Sequence, residues 1–265
     1  MSLGPSGGAP HLTIGQAAAQ AWRDTRAALS TLAGPAQIAF FIYLMMSVAR
    51  RFLLPADPGT ATAVLLGEFI LSIAQAFLLT PFLIAVHRFV ILGETGRYTL
   101  APGEHRFQLF FMWSIALSLL AWAPPFLLWT VKGVSTSGGT LSFALGSFIY
   151  IVVATIISLR LIILFPAIAV DAPGATWRNA MADTKGSVWR ILFIGLVSAL
   201  PLIGLALLLG LIALSLGAPK EIARPSIGWL AVTSIFDAAI GVLGFTIAVV
   251  VASRFYRELG NRVNQ

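Results

Sequence analysis

The stretch VWRILFIGLVSALPLIGLALLLGLIALSL, residues 188–216, decides the fold class of this 265-residue chain. An α-helix needs about 20 mainly apolar residues, at a rise of about 1.5 Å each, to cross the hydrocarbon core of a bilayer. The run from Leu202 to Leu216 also lacks the alternation of polar and apolar side chains that a membrane β-strand shows. The stretch therefore predicts a transmembrane helix.

Five further segments share this character, and we predict six spans at about residues 31–54, 62–91, 107–131, 141–170, 188–216 and 227–256. Hydrophobic residues make up 58% of the chain and charged residues 10%, and the mean hydropathy is +0.91. Soluble domains are about 45–50% apolar and about 25% charged, whereas disordered chains combine low hydrophobicity with high net charge. The composition excludes both classes, and we expect an all-α, polytopic integral membrane protein.

The segments around the spans complete the expected organisation. It consists of a disordered tail at 1–11, an interfacial amphipathic helix at 12–30, a six-helix membrane domain at 31–257 and a cytoplasmic tail at 258–265. The apolar face of the amphipathic helix is expected to carry Leu12, Ala19, Trp22 and Leu29. Residues 175–190 form a second amphipathic segment, and residues 93–106 a loop-like third one. Three hairpins, each preceded by such a segment, would form a pseudo-repeat; the alternative is that any six-span protein with both ends on one side shows three hairpins.

The basic residues predict the orientation. With both termini in the cytoplasm, 11 basic residues flank the inner ends of the spans and 5 flank the outer ends, while Arg160 lies inside a span. This bias follows the positive-inside rule, although Arg50 and Arg51 oppose it. The chain contains no cysteine, which fits a bacterial cytoplasmic (inner) membrane. We predict a multi-pass protein of that membrane with both termini cytoplasmic.

Four ionisable residues form the candidate intramembrane polar site, because charge inside a span is expensive and often functional. They are Arg160, Asp171, Asp237 and Glu68. The rise of a helix places Glu68 about 30 Å, and Asp237 about 25 Å, from the inner ends of their spans. We expect these two acids to pair with Arg50, Arg51 or Lys220, with a functional role as the alternative.

Arg160 lies 11 residues before Asp171, or about 16 Å above the inner boundary by helix rise. A guanidinium binds phosphate bidentately, so one interpretation is an anchor for an anion or a lipid phosphate. The other is an internal staple that holds the fourth span to its neighbours. The carbonyl of Ile162, which Pro166 leaves without its helical donor, is one candidate partner.

A second group of residues lies at the predicted inner ends of spans or in the inner amphipathic segment. These candidate contacts for anionic lipid headgroups are His87, Arg88, Arg106, Arg178 and Lys185. The alternative is ordinary positive-inside anchoring. In the sixth span, Ala238, Gly241, Gly244 and Ala248 form a stripe of small residues that we expect to serve packing within the molecule.

Sequence motifs of catalysis are absent. The chain has no cysteine and no HExxH, GxSxG, GxxxxGK[ST] or GxGxxG pattern, so we expect no catalytic residue, no cofactor and no metal site. The net charge of +7 indicates orientation and attraction to anionic lipid rather than nucleic-acid binding. The expected partners are membrane lipids, with anionic headgroups at the cytoplasmic face, and a membrane protein.

Three segments carry a family resemblance: LRLIILFPAIAVDAPGATWRNAMADTKG (159–186), IGQAAAQAWR (14–23) and SRFYREL (253–259). They resemble the bacterial six-helix inner-membrane family related to the membrane domain of glycerophosphoryl diester phosphodiesterase. In that family the phosphodiesterase activity belongs to a separate soluble domain, which this sequence lacks. The resemblance therefore implies the membrane architecture and not the reaction.

The leading functional hypothesis is a non-enzymatic inner-membrane protein that binds lipid or a protein partner and serves assembly or membrane homeostasis. The interfacial segments and inner-face cations motivate it. The alternative is a transporter of a small solute or a lipid, with a cavity around Arg160. A membrane-embedded enzyme acting on lipid phosphate through Arg160 and Asp171 is a third hypothesis.

Overall fold

The computed structural model describes residues 13–54, 61–132, 139–215 and 227–265. All regular structure in these ranges is helical: α1 Ile14–Thr31, α2 Ala33–Leu53, α3 Ala61–Leu92, α4 His105–Lys132, α5 Gly139–Arg160, α6 Leu164–Ala169, α7 Trp177–Asp183, α8 Val188–Ser215 and α9 Ile227–Leu259. Six segments are long and apolar enough to cross a membrane: Ala33–Leu53, Ala63–Leu92, His105–Ala123, Leu145–Ala169, Val188–Ile212 and Ile227–Leu259. The expected all-α, polytopic membrane fold is confirmed. The tail predicted at 1–11 lies outside the described residues.

The helices α3, α4, α5, α8 and α9 follow one another in a ring of contacts. Each packs against the next, and α9 returns to α3. Helix α2 packs against both α3 and α9, and α1 packs along α8 and α9. We call the end of the bundle that carries α1, the linker 93–104 and the segment 170–187 the α1 end, and the other the opposite end. The short helix α6 contacts α3, α4 and α9 near the α1 end.

The close approach of α2 and α9 depends on a glycine. A Cβ at Gly241 would lie 2.5 Å from the ring of Tyr43, a distance that no real contact allows. The same tyrosine ring packs against Phe245, with ring centroids 5.6 Å apart. The expectation that the small stripe of the last span serves packing within the molecule is confirmed at this position.

Helix α1 packs on the protein through a face of small residues. Its Thr13 and Gln16 form a reciprocal N-terminal capping box. Its buried residues are the small Ala18, Ala21, Thr25 and Ala28, because only small side chains let two helices approach closely. Trp22, expected on the lipid interface, donates its Nε1 hydrogen to the Ser198 carbonyl in α8 at 3.0 Å, and Asp24 pairs with Arg254 of α9.

The segment predicted as a cytoplasmic tail is packed against the protein from Gly260 onward. The carboxylate of Asp183 accepts the backbone N–H groups of Arg262 at 2.8 Å and of Val263 at 3.1 Å. Val263 is fully buried. A Cβ at Gly174 would lie 2.2 Å from the Arg262 carbonyl, so glycine at 174 lets this end of the chain lie against the segment before α7. The last residues are therefore docked on the bundle, and their cytoplasmic side stays a prediction.

Candidate functional site

A cavity of about 580 Å³ lies among α2, α3, α4, α6 and α9. The packing explains why the space exists. Helix α3 contacts both α4 and α9, and the six-residue α6 contacts the same three helices near the α1 end. From this short helix toward the opposite end, the cavity lies between α4 and α9. The volume falls within the range of about 300–1,000 Å³ that ligand pockets occupy.

The walls of the cavity are mostly apolar. They include Leu79 and Leu83 of α3, Phe110 of α4, Phe165 of α6 and Val249 of α9. The rings of Phe110 and Phe165 pack edge to face, with centroids 4.9 Å apart. Such walls bind an apolar body, and the few polar groups among them fix its orientation.

Polar side chains line the cavity toward the opposite end. Arg50 donates from Nε to Glu68 at 3.0 Å and from Nη2 to Gln75 Oε1 at 2.6 Å. Tyr43 is 9% exposed, and its hydroxyl presents no accessible surface and lies beside the Gln75 side chain. Tyr43, Gln75 and Arg50 therefore form one polar cluster at this end of the cavity.

His87 lines the cavity toward the α1 end. It is 1% exposed, and its Nδ1 lies 2.7 Å from the Ser253 hydroxyl oxygen. That hydroxyl donates its hydrogen to the Val249 carbonyl at 2.8 Å. Because a hydroxyl has one hydrogen, Ser253 accepts from His87, and the ring hydrogen sits on Nδ1. In the neutral ring Nε2 then carries a lone pair that can accept a hydrogen bond.

A second, polar space of about 370 Å³ lies at the α1 end. Arg88, Glu94, Arg97, Glu104 and Arg106 all line it. Arg88 binds the Glu94 carboxylate through Nε at 2.7 Å and Nη2 at 2.8 Å. The linker 93–104 is thereby fixed to α3, although it contains no helix.

The hydroxyl of Tyr98 fixes the same linker at a second point. It donates to the Leu78 carbonyl of α3 at 2.6 Å, three residues before Pro81. Trp22 makes the corresponding contact to α8, where it binds the carbonyl three residues before Pro201. Burial raises the pKa of Tyr98 above its ordinary value of 10.0.

The four residues of the candidate intramembrane polar site lie in three separate places. Glu68 pairs with Arg50 at 3.0 Å and Asp237 with Arg51 at 3.2 Å. These two pairings, expected from the sequence, are confirmed. Asp171 lies at the α1 end, and Arg160 is in neither group, so the grouping of all four into one site is corrected.

Asp171 joins two guanidinium groups. It lies 2.8 Å from Arg106 and 3.6 Å from Arg88. Arg88 also donates to the carbonyl of Ala169, the last residue of α6, at 2.9 Å. This hydrogen bond caps the C-terminus of the short helix. Asp171 has a positive φ of 54°, a conformation that aspartate tolerates better than most residues. This turn directs the chain away from α6 and places the carboxylate between the two arginines.

Arg160 binds backbone within the protein. Its guanidinium donates to the Met181 carbonyl, and its own carbonyl accepts the Thr184 hydroxyl at 2.9 Å. The helix is interrupted at residues 161–163, so the depth of about 16 Å, which assumed a continuous helix, does not apply. Neither space described above is lined by Arg160. The partner is Met181 instead of the Ile162 carbonyl.

The five candidate headgroup contacts lie in three different surroundings. His87 is buried in the bundle, which corrects its placement in a surface cluster. Arg88 and Arg106 are held by carboxylates. Arg178 and Lys185 are exposed, and in the described part of the chain neither lies within ion-pair distance of an acid. Arg178 instead stacks over Trp177, with its Cζ 5.4 Å from the ring centroid.

Tyr43 and Gln75 are the cavity residues that the sequence analysis missed. Both are hard to recognise as cavity residues in the sequence, because a tyrosine in a span resembles an interface anchor and a single glutamine carries no charge. Gln75 lies in the middle of the apolar α3 and is 8% exposed. A polar residue in that position is the feature that could have indicated the cavity.

No family model, curated protein or solved structure matches this chain. The resemblance to the six-helix family related to the membrane domain of glycerophosphoryl diester phosphodiesterase stays a prediction.

Proposed function

We propose that this chain is a non-enzymatic membrane protein that binds a lipid-like amphiphile inside the cavity among α2, α3, α4 and α9. The observation that carries the proposal is a cavity of about 580 Å³ with mainly apolar walls, which Arg50 and Gln75 line toward the opposite end. An apolar body fits the walls, and a polar head fits the end that carries the polar side chains. The role in assembly or membrane homeostasis remains part of the proposal.

The proposed location is the bacterial cytoplasmic membrane, with both termini in the cytoplasm. Charge at the two ends supports this orientation. In the described part of the opposite end, Arg50 and Arg51 are paired with acids. At the α1 end seven exposed basic residues lie outside ion-pair distance of any described carboxylate: Arg23, Arg26, Arg97, Arg178, Lys185, Arg257 and Arg262. Such a surplus favours the anionic cytoplasmic leaflet.

The proposal is tested by closing the cavity. Ala248 of α9 lines the cavity and is exposed to it, so Ala248→Trp should fill the space with little disturbance of the packing. Ala231→Trp, at an exposed alanine on the same helix, is the matched control. Both variants and the wild type are purified in nanodiscs, and the lipids that survive gentle activation are identified by native mass spectrometry.

We expect a defined amphiphile on the wild type and on Ala231→Trp, and its loss from Ala248→Trp. Equal lipid retention by all three proteins would contradict binding in the cavity. If a protein co-purifies instead, and it is lost when Arg178 and Lys185 are replaced by alanine, the partner-binding form of the leading hypothesis is favoured.

Transport is the second candidate function, now placed at the cavity instead of around Arg160. One observation favours it. The cavity and the polar space at the α1 end lie against the same part of α3, where Leu83 and His87 face the first and Ile84 and Arg88 the second. A shift of α3 at Pro81 could join the two spaces. Movement of the bound amphiphile between leaflets of reconstituted vesicles would support transport, and binding without movement would oppose it.

A further inference from the structure

The polar space at the α1 end combines charges of both signs with an apolar wall. We infer that it binds the zwitterionic headgroup of a phospholipid, with the phosphate at Arg97 and a primary ammonium at Glu104. The chemistry that the space recognises is a phosphodiester joined to an ammonium group with N–H donors. The inference goes beyond the proposed function, because this space and the cavity share no lining residue.

The space lies at the ends of two membrane-spanning segments. The span Ala63–Leu92 ends beside it, and the span His105–Ala123 begins beside it. The linker 93–104, which joins these spans, supplies much of the lining. The ends of spanning helices lie at the boundary between the hydrocarbon core and the headgroups of a bilayer. A lipid that borders α3 and α4 therefore brings its headgroup to this space without leaving the membrane.

Two of the arginines that line the space are neutralised within the protein. The Glu94 carboxylate accepts from Nε of Arg88 at 2.7 Å and from its Nη2 at 2.8 Å. Asp171 accepts from Nε of Arg106 at 3.1 Å and lies 2.8 Å from its Nη2. These ion pairs hold the linker and the end of α6 to the bundle, so neither arginine needs a ligand for its charge.

One cation and one acid of the lining remain without an ion pair. Arg97 and Glu104 are both exposed, and neither lies within ion-pair distance of an oppositely charged group in the described part of the chain. They line the same space of about 370 Å³, so a small headgroup can contact both. An anionic headgroup at Arg97 would lie near the Glu104 carboxylate, and like charges repel. A headgroup that carries an ammonium beside its phosphate neutralises both residues.

Apolar surface beside the charges favours a membrane lipid over a soluble zwitterion. The helical part of the wall includes Pro81 and Ile84 of α3 and Phe107 of α4. Leu100 lies in the linker between two residues of the lining and is 44% exposed. Surface of this kind binds the apolar part of an amphiphile, whereas a free headgroup would leave it in contact with water.

The experiment compares three phospholipids that carry the same oleoyl chains. Phosphatidylethanolamine has the primary ammonium, and phosphatidylcholine has a trimethylammonium without N–H donors. Phosphatidylglycerol has an uncharged, hydroxylated group in that place and is therefore anionic. The protein in detergent is titrated with each lipid, and native mass spectrometry measures the fraction that carries one lipid.

Arg97→Gln and Glu104→Gln each remove one charge at an exposed position, so neither should disturb the fold. Arg257→Gln and Glu258→Gln, at exposed positions outside the space, are the matched controls and should bind lipid like the wild type.

We expect phosphatidylethanolamine to occupy the wild type about threefold more than phosphatidylcholine, which is the size of one exposed ion pair. Glu104→Gln should remove this preference, because an amide does not neutralise the ammonium. It should also raise the binding of phosphatidylglycerol about threefold, because the repulsion is gone. Arg97→Gln should lower the binding of both zwitterionic lipids about threefold and leave their ratio unchanged.

Equal binding of the ethanolamine and choline lipids by the wild type, or a preference that survives Glu104→Gln, overturns the inference. If glycerophosphoethanolamine, the same headgroup without acyl chains, displaces the lipid at equal concentration, the assignment to a membrane lipid is wrong. If Ala248→Trp removes the preference, the lipid lies in the cavity, so this inference fails while the proposed function stands. A preference that Ala248→Trp retains supports the headgroup site, whichever result the cavity itself gives.

Discussion

Two groups of ion pairs, one at each end of the bundle, are built differently. At the opposite end Arg50 pairs with Glu68 and Arg51 pairs with Asp237, each an acid of another span. At the α1 end Asp171 is shared between Arg88 and Arg106, and the same network holds a linker and the end of α6.

This difference shows that charge has two tasks in the protein. At the opposite end the pairs join spans, and Glu68 neutralises Arg50 beside the cavity. At the α1 end the shared acid fixes segments that lack long helices, and a surplus of exposed cations remains. We expect the first arrangement to matter less for stability than the steric fit of the spans around it.

The largest effect tests that steric fit. Gly241→Leu places a branched side chain where a Cβ alone would lie 2.5 Å from the Tyr43 ring, so α2 and α9 must separate. We expect a loss of more than about 3 kcal/mol of unfolding free energy, or no folded protein. Gly204→Leu on α8, where a Cβ meets nothing within 4 Å, is the control. Thermal unfolding in detergent, followed by tryptophan fluorescence, measures both, and similar midpoints for the two variants would contradict the close contact.

The next-largest effect is expected from the two kinds of ion pair, whose contributions to the unfolding free energy can be compared. Asp171→Asn keeps a residue that tolerates a positive φ and removes the charge shared by Arg88 and Arg106. We expect a loss of about 1 kcal/mol, since the aspartate side chain is 55% exposed. Glu68→Gln removes the partner of Arg50 alone, and Gln75 still binds that arginine, so we expect about half that loss. A larger loss for Glu68→Gln than for Asp171→Asn would show that sharing is not the stabilising feature.

A smaller effect is expected for Asp237. Its side chain is 59% exposed, and an exposed pair is worth about 0–1 kcal/mol. Asp237→Asn should therefore change the unfolding free energy by less than about 0.5 kcal/mol, and the amide can still accept the hydrogen bond from Ser47. If the unfolding curve shifts as much as that of Asp171→Asn, the pairs at the opposite end carry more of the stability than proposed here.

The smallest expected effect is a loss of stability at alkaline pH, caused by ionisation of Tyr98 in the linker. Burial raises the pKa of Tyr98 above 10.0, so the folded state holds this proton more tightly than the unfolded state does. The contribution is complete below pH 10 and is lost as the pH rises from there toward the folded pKa. Tyr98→Phe should remove that alkaline decrease and should be less stable than the wild type at pH 8, because the bond to the Leu78 carbonyl is gone. Parallel pH profiles of the two proteins between pH 9 and 11 would contradict this assignment.

Several residues could be placed from the sequence because their partners were fixed by helix geometry. Glu68 and Asp237 were expected near Arg50 and Arg51, since the rise of a straight helix gives the depth of each residue. The same estimate was wrong for Arg160, because the helix is interrupted at residues 161–163. A depth estimate is only as good as the continuity of its helix.

The cavity could not be predicted in the same way. Tyr43, Gln75 and His87 come from two helices and are brought together by the packing of α2, α3 and α9. His87 was expected beside Arg88 at the surface, but successive residues of a helix point about 100° apart. Arg88 faces the linker, while His87 faces Ser253 inside the bundle.

The amino-acid sequence alone predicts a membrane protein, the number of its spans and an excess of basic residues at one end of them. These properties depend on the sum of local hydrophobicity and on charge counts, which need no knowledge of partners. The packing of the helices is needed to know which charges are neutralised, where the last residues lie and where a cavity remains. The cavity, for example, needs side chains of α2, α3, α4, α6 and α9, and its place follows from how these helices pack at once.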